Sequence, residues 1–250
     1  MSYLLYTPIG IFRTDIPLDY EFFDRKDGHD WIDFELKVKG HFSPIHDWLL
    51  ENFVNEDSTV VDVGAHIGVF AIPASMKAKK VLAFEPVIES FARLSDHIVL
   101  NSAENIVPYN FALGEDHSLA ELEYCPKFNT GAATLNISRG SLQIPDLGDE
   151  HAPPTYPILV KTLDSLDLEA CDFLKCDTEG CELLVVRGAL ETIKKFRPVM
   201  VMEHNYTEEM EEVLKLLESA GVPYNSTKIH DPTMTNEHGD NDYLYEPMKY

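Results

Sequence analysis

The sequence predicts an α/β fold, with a doubly wound and mostly parallel sheet covered by helices on both faces. Three observations predict it. Apolar runs of strand length at 60–63, 81–84, 172–176 and 198–202 alternate with amphipathic stretches of helical period. The first run carries a carboxylate and then breaks into a glycine-spaced turn, Asp62-Val63-Gly64-Ala65-His66-Ile67-Gly68. A chain of 250 residues with 44% hydrophobic content can also bury one sizeable core, and it shows neither an internal repeat nor a low-complexity linker.

The first 43 residues read as an arm or lid, and 44–250 as one domain. Aromatics at Tyr20, Phe22, Phe23, Trp31 and Phe34 fit a lid over a ligand as well as they fit an extra edge layer. After the turn a helix is expected over 69–78, short or kinked because Pro73 removes a hydrogen bond and crowds the preceding carbonyl. A strand over 81–84, a helix over 88–100 and a strand over 106–113 follow. Residues 118–160 change to short alternating runs broken by Gly131, Gly140, Pro145, Gly148 and Pro153-Pro154, which reads as an inserted hairpin with a loop. One helix then carries Leu183, Leu184, Val186, Leu190 and Ile193, and a last one Met210, Val213, Leu214 and Leu217. Strand-like runs at 222–229 and 243–246 close the chain.

The formal charge of -23, with 20 Lys and Arg against 43 Asp and Glu, argues against a nucleic-acid partner, since phosphates demand a basic surface. The opening residues lack both a basic start and a long apolar stretch, so no signal peptide or membrane span is expected, and the protein reads as soluble and cytoplasmic. Cys125, Cys171, Cys176 and Cys181 form no C-x-x-C pair, which leaves buried or reduced thiols as the expectation. The sequons at Asn136, Asn205 and Asn225 would matter only in a secreted chain.

The turn decides between cofactors. A dinucleotide fingerprint places glycine where His66 stands, and Asp62 would repel a pyrophosphate. The same anion attracts a ligand carrying an ammonium and a sulfonium, and S-adenosylmethionine is such a ligand. A second acidic tip, Glu85-Pro86, stands twenty-one residues after Gly64, where a carboxylate can take both hydroxyls of a ribose. The plain alternative for either carboxylate is a solvated strand-end acid.

These residues resemble the FkbM-type S-adenosylmethionine-dependent methyltransferases. The resemblance rests on Val61 to Gly68, on Ala83-Phe84-Glu85-Pro86, on Asn110-Phe111-Ala112-Leu113-Gly114, on Thr162-Leu163-Asp164-Ser165-Leu166, and above all on Lys175-Cys176-Asp177-Thr178-Glu179-Gly180-Cys181-Glu182 with Arg187-Gly188-Ala189. It implies a Rossmann-like class I methyltransferase fold, with a mostly parallel seven-stranded sheet and an antiparallel edge hairpin. It implies S-adenosylmethionine as cofactor, bound by Asp62, Gly64, Ala65, His66, Gly68, Glu85, Pro86 and Ala112. It further implies O-methylation of a sugar or small natural product, so that the partner is a small-molecule or glycan acceptor. Ser43 departs from a family stretch in which glutamate follows the aromatic.

Chemistry is expected at the carboxyl ends of the central strands, where Asp177, Glu203 and His204 stand. In one mechanism His204 or a carboxylate takes the proton of an acceptor hydroxyl. In the other Asp177 and Glu203 hold Mg2+ or another divalent cation that activates the hydroxyl. The quieter readings are a helix cap for Asp177 or Thr178, a dipole partner for Glu179, a core histidine for His204, and close helix packing at Gly180 and Gly188. Two rival functions stay open: a nicotinamide-dependent sugar oxidoreductase or epimerase, against which the missing glycine and absent Tyr-x-x-x-Lys argue, and a non-catalytic cofactor-binding module.

Overall fold

Apolar segments buried on both faces, separated by helices, build a parallel core flanked by smaller sheets. A computed structural model describes residues 3–14, 16, 31–40, 43–123, 134–135, 155–204, 206–229 and 241–248. In chain order come the hairpin β1 (Tyr3–Thr7) and β2 (Gly10–Thr14), then α1 (Trp31–Lys39), α2 (Pro44–Phe53), β3 (Thr59–Val63), α3 (Ala71–Ser75), β4 (Lys80–Phe84), α4 (Ile88–Leu100) and β5 (Ile106–Tyr109). Next are β6 (Ala112–Leu113), β7 (Ser118–Glu123), β8 (Thr134–Leu135), β9 (Thr155–Lys161), β10 (Phe173–Cys176), α5 (Glu182–Arg187), α6 (Leu190–Phe196) and β11 (Val199–Glu203). The chain closes with α7 (Thr207–Ser219), β12 (Tyr224–Lys228) and β13 (Asp242–Pro247).

The main sheet has seven strands in the order β12-β13-β11-β10-β3-β4-β5. Strands β5, β4, β3, β10 and β11 are parallel, while β13 runs antiparallel to both β11 and β12, forming the edge hairpin that the resemblance implied. Period-two alternation sorts the side chains. Val60, Phe173 and Val201 join one core with residues of α2, α3 and α4, while Val61, Val63, Leu174, Cys176, Met200 and Met202 join the opposite core with α5, α6 and α7. The strand order reverses between β3 and β10, so their carboxyl ends open the crevice in which such sheets take ligands.

Three expectations change in detail. Helix α3 is only five residues long, and Pro73 falls in its first turn, where a missing N–H costs nothing. The strand expected over 106–113 breaks after Tyr109, because the Asn110 amide donates to the carbonyls of Glu85 (2.9 Å) and Pro86 (3.2 Å). Ala112 and Leu113 then pair with β9 in a second sheet of order β6-β9-β7-β8. The helix expected over 183–193 is two helices, broken at Gly188 and restarted by Asp164, whose carboxylate accepts from the N–H groups of Glu191 (3.0 Å) and Thr192 (2.7 Å).

The described part of the inserted segment keeps its antiparallel character through β7 and β9. Its loop, together with Cys125, the sequon at Asn136, Asn205 and the aromatics Tyr20, Phe22 and Phe23, lies outside the described residues. Cys171, Cys176 and Cys181 are buried. No helix among the described residues is long and apolar enough to cross a membrane.

Candidate functional site

Asp62 stands one residue before the end of β3, fully buried, and neither of its carboxylate oxygens has a hydrogen-bond partner among the described residues. Its nearest cation is the ammonium of Lys175, 3.7 Å away and in register across β10. Burial pushes the Asp62 carboxyl up to about 6, against the pull of Lys175. A desolvated carboxylate short of donors is costly by itself and is matched to a ligand cation.

Glu85 follows β4 at the neighbouring strand tip and is 5% exposed. Its Oε2 accepts from the N–H of His66 and its Oε1 from the N–H of Val87, each at 2.8 Å. Burial raises this carboxyl to about 7, although the two N–H groups oppose the shift. Each oxygen still has a free lone pair, which is what two vicinal hydroxyls require.

Packing alone already requires glycine at two positions of the turn between these acids. A Cβ on Gly64 would lie 1.8 Å from the carbonyl oxygen of Asp177, so this glycine lets the exits of β3 and β10 cross. A Cβ on Gly68 would lie 2.8 Å from Leu94, so its bare face meets α4 instead. The N–H groups of Gly64 and Ala65 both donate to the Phe84 carbonyl at 3.0 Å. His66 has a positive φ of 50° and presents its N–H to Glu85. Pro86 is half-buried, whereas Ala112 lies in the small core of the second sheet with Val87, Leu122, Ile158 and Val160.

Asp177 closes β10 with about a third of its side chain exposed. Burial acts to raise its pKa, but the Lys175 ammonium at 3.0 Å and a hydrogen bond with Glu203 outweigh it and hold Asp177 below its ordinary value. Glu203, at the end of β11, is pushed up to about 9 by burial and by the charges of Asp177 and Glu179. The pair therefore holds one proton near neutral pH, with the Glu203 carboxyl donating to the Asp177 carboxylate. Asp177 does not cap a helix. Helix α5 starts without a side-chain cap among the described residues; its first residue, Glu182, instead ties the preceding turn, accepting from Thr178 N–H and hydroxyl at 2.8 Å and from Gly180 N–H at 3.1 Å. The tight turn this makes gives Glu179 a φ of 55° and Gly180 one of 102°. Burial and neighbouring Asp177 raise the half-buried Glu179 to about 7.

Two expectations for this region need correction. His204 is 2% exposed, its Nε2 pairs with the Tyr245 hydroxyl at 2.7 Å, and burial lowers its pKa to about 4. It sits edge-on to Tyr243 and Tyr245 as a core histidine, not as a base facing the crevice. The divalent-cation reading also lacks a fitting donor set: Asp177 Oδ2 is taken by Lys175, and no three His, Cys, Asp or Glu side chains among the described residues are arranged to hold a metal. A Cβ on Gly180 would meet nothing within 4 Å among the described residues, whereas a Cβ on Gly188 would lie 1.9 Å from the Gly114 carbonyl oxygen.

Lys175 enters the sequence reading only as part of the motif, with no role assigned, although it joins the two halves of the site. The available signal was a lysine in an apolar strand, two residues before Asp177, on the face that alternation assigns to Asp62.

The fold is the Rossmann-like fold of class I methyltransferases. The methyltransferase FkbM domain matches residues 62–224, and the chain belongs to that family. Among solved structures, the FkbM methyltransferase from Methylobacillus flagellatus KT is similar over 76% of this chain, with 20% identity and a TM-score of 0.53. The chain spans 43% of that protein's length. The precorrin-6y C5,15-methyltransferase from Geobacter metallireducens GS-15 (13% identity, TM-score 0.47, 82% of this chain and 88% of that one) and M. jannaschii TYW2 in complex with AdoMet (16%, 0.44, 99% and 87%) are more distant. No curated protein matches the chain.

Proposed function

We propose that the protein transfers a methyl group from S-adenosylmethionine to a hydroxyl of a small polyhydroxylated acceptor, a sugar or natural product. The observation that carries the reading is the buried Asp62 carboxylate, whose oxygens have no hydrogen-bond partner among the described residues and which lies beside the Glu85 tip. These residues fit the cofactor: Asp62 would hold its ammonium and Glu85 its ribose hydroxyls, with Pro86 at the rim. When bound, the cofactor supplies a methyl group on a positively charged sulfur.

The chain's own residues then handle the acceptor. Asp177, kept ionised by Lys175, accepts the acceptor hydroxyl and orients its oxygen. Protonated Glu203 keeps Asp177 from swinging away, since it occupies one of that carboxylate's lone pairs. Asp177 takes the hydroxyl proton as the oxygen attacks the methyl, and neighbouring Glu179, with a carboxyl raised to about 7, is matched to receive it from Asp177 near neutral pH. The acidic crevice and net charge of -23 favour neutral or cationic acceptors over phosphorylated or nucleic-acid ones.

The test is transfer of labelled methyl from S-adenosylmethionine into a panel of sugars and phenols, with and without a chelator. Chelator-insensitive labelling of a hydroxylated acceptor is expected. Labelling of amines or RNA alone would overturn the acceptor class.

A further inference from the structure

The turn 65–68 holds conformations that side chains resist, with φ of 50° at His66 and 93° at Gly68 on either side of Ile67. Something must fix it. One anchor is already described, the His66 N–H on Glu85. The other is the Ile67 carbonyl, which accepts a hydrogen bond from Nδ1 of His97, on α4, at 2.7 Å. The opposite ring nitrogen, Nε2, accepts the main-chain N–H of Arg13 on β2 at 2.8 Å, which leaves the proton on Nδ1. His97 is fully buried, and burial lowers its pKa to about 4, so the ring stays neutral and keeps both bonds.

The hairpin that supplies Arg13 is itself fastened to α4. Asn101 accepts the Ile11 N–H at 2.7 Å and donates to the Ile11 carbonyl at 2.8 Å, as another strand would. Arg93 donates to the Arg13 carbonyl at 2.8 Å. Phe12 is fully buried with its ring edge-on to His97, 5.1 Å between centroids. At Gly10 a Cβ would lie 2.7 Å from Ile72, so the hairpin sits flush on α3.

We propose that His97 is a positioning residue, which pins the cofactor turn at its Ile67 end and makes the N-terminal hairpin a brace for that turn. The proposal rests on the cofactor assignment made above. It gives the described part of the N-terminal arm a task in cofactor affinity without contact with the ligand.

The test compares full-length wild type with His97→Leu, His97→Gln and Asn101→Ala. It reads S-adenosylhomocysteine affinity by calorimetry, and amide hydrogen exchange at His66 and Gly68 without ligand. His97→Leu loses both bonds, so its Kd is expected to rise about tenfold and its turn amides to exchange faster. His97→Gln keeps a donor and an acceptor and is expected to restore affinity to within about threefold of wild type. Asn101→Ala removes hydrogen bonds to Ile11 and to the His97 carbonyl rather than to the turn, yet faster exchange at the same two amides is expected. Wild-type affinity and unchanged exchange in His97→Leu would overturn the brace, as would equal loss in His97→Gln. If His97→Leu does not fold, Asn101→Ala and His97→Gln decide by the same two readouts. Failure of wild type to bind S-adenosylhomocysteine would sink the cofactor assignment alone, because the exchange measurement still judges the brace.

Discussion

The ammonium of Lys175 stands 3.0 Å from Asp177 Oδ2, at the end of its own strand, and also reaches the buried Asp62 across the sheet at 3.7 Å. One cation thus compensates the acid assigned to the cofactor and the acid assigned to the acceptor. Burial acts to lower the Lys175 pKa, but the two carboxylates outweigh it and raise it, so the lysine stays charged.

Replacing that cation leaves two carboxylates without compensation. Lys175→Met is expected to cost about 3 kcal/mol of stability, as removal of one partner from a buried ion pair does. Urea denaturation checks this; an unchanged midpoint would show that the pair contributes nothing.

Asp177→Asn keeps the shape of the side chain but loses its charge. Cofactor affinity is expected to stay within about twofold, because Asp62 and Glu85 are untouched, while turnover falls about a hundredfold. Single-turnover kinetics beside S-adenosylhomocysteine titration separates the two effects. A fully active variant would reduce Asp177 to a structural anchor for Lys175.

Glu203 makes the fold sensitive to alkali. Its folded-state pKa of about 9 lies above the ordinary 4.5, so the native state holds a proton that the unfolded chain has released. Stability therefore declines as pH rises from about 4.5 to 9. His97 and His204, both lowered to about 4, act in the opposite sense below 6.5, which masks part of the decline there. The melting temperature is expected to fall between pH 7 and 9 in wild type and to fall less in Glu203→Gln.

Glu85→Ala removes the acceptor of two buried N–H groups as well as the carboxylate proposed to hold the ribose. It is expected to weaken S-adenosylhomocysteine binding by more than about 1 kcal/mol and to cost about 2 kcal/mol of stability. Calorimetry and thermal melts read the two losses. A variant that loses neither would show that the carboxylate is ornamental.

The parallel strands, α4 and the acidic tips were legible because each is a local pattern: apolar runs ending in Asp62, Glu85, Asp177 and Glu203, separated by amphipathic turns. What escaped was set by tertiary contacts. The split at Asn110 depends on carbonyls of Glu85 and Pro86, the split at Gly188 on Gly114 and Asp164, and the burial of His204 on Tyr245 from a strand forty residues away. The reason for Gly64 was similarly hidden, since the atom that fills its Cβ position belongs to Asp177. His97 reads as an ordinary member of an amphipathic helix until Arg13 and Ile67 are seen on either side of its ring.

Isothermal titration with S-adenosylhomocysteine and with NAD, on wild type and Asp62→Ala, bears most directly on the cofactor crevice. The structure leads us to expect saturable S-adenosylhomocysteine binding to wild type, a loss of more than about 1 kcal/mol in Asp62→Ala, and no heat from NAD. Binding of NAD, or S-adenosylhomocysteine affinity indifferent to Asp62, would contradict it.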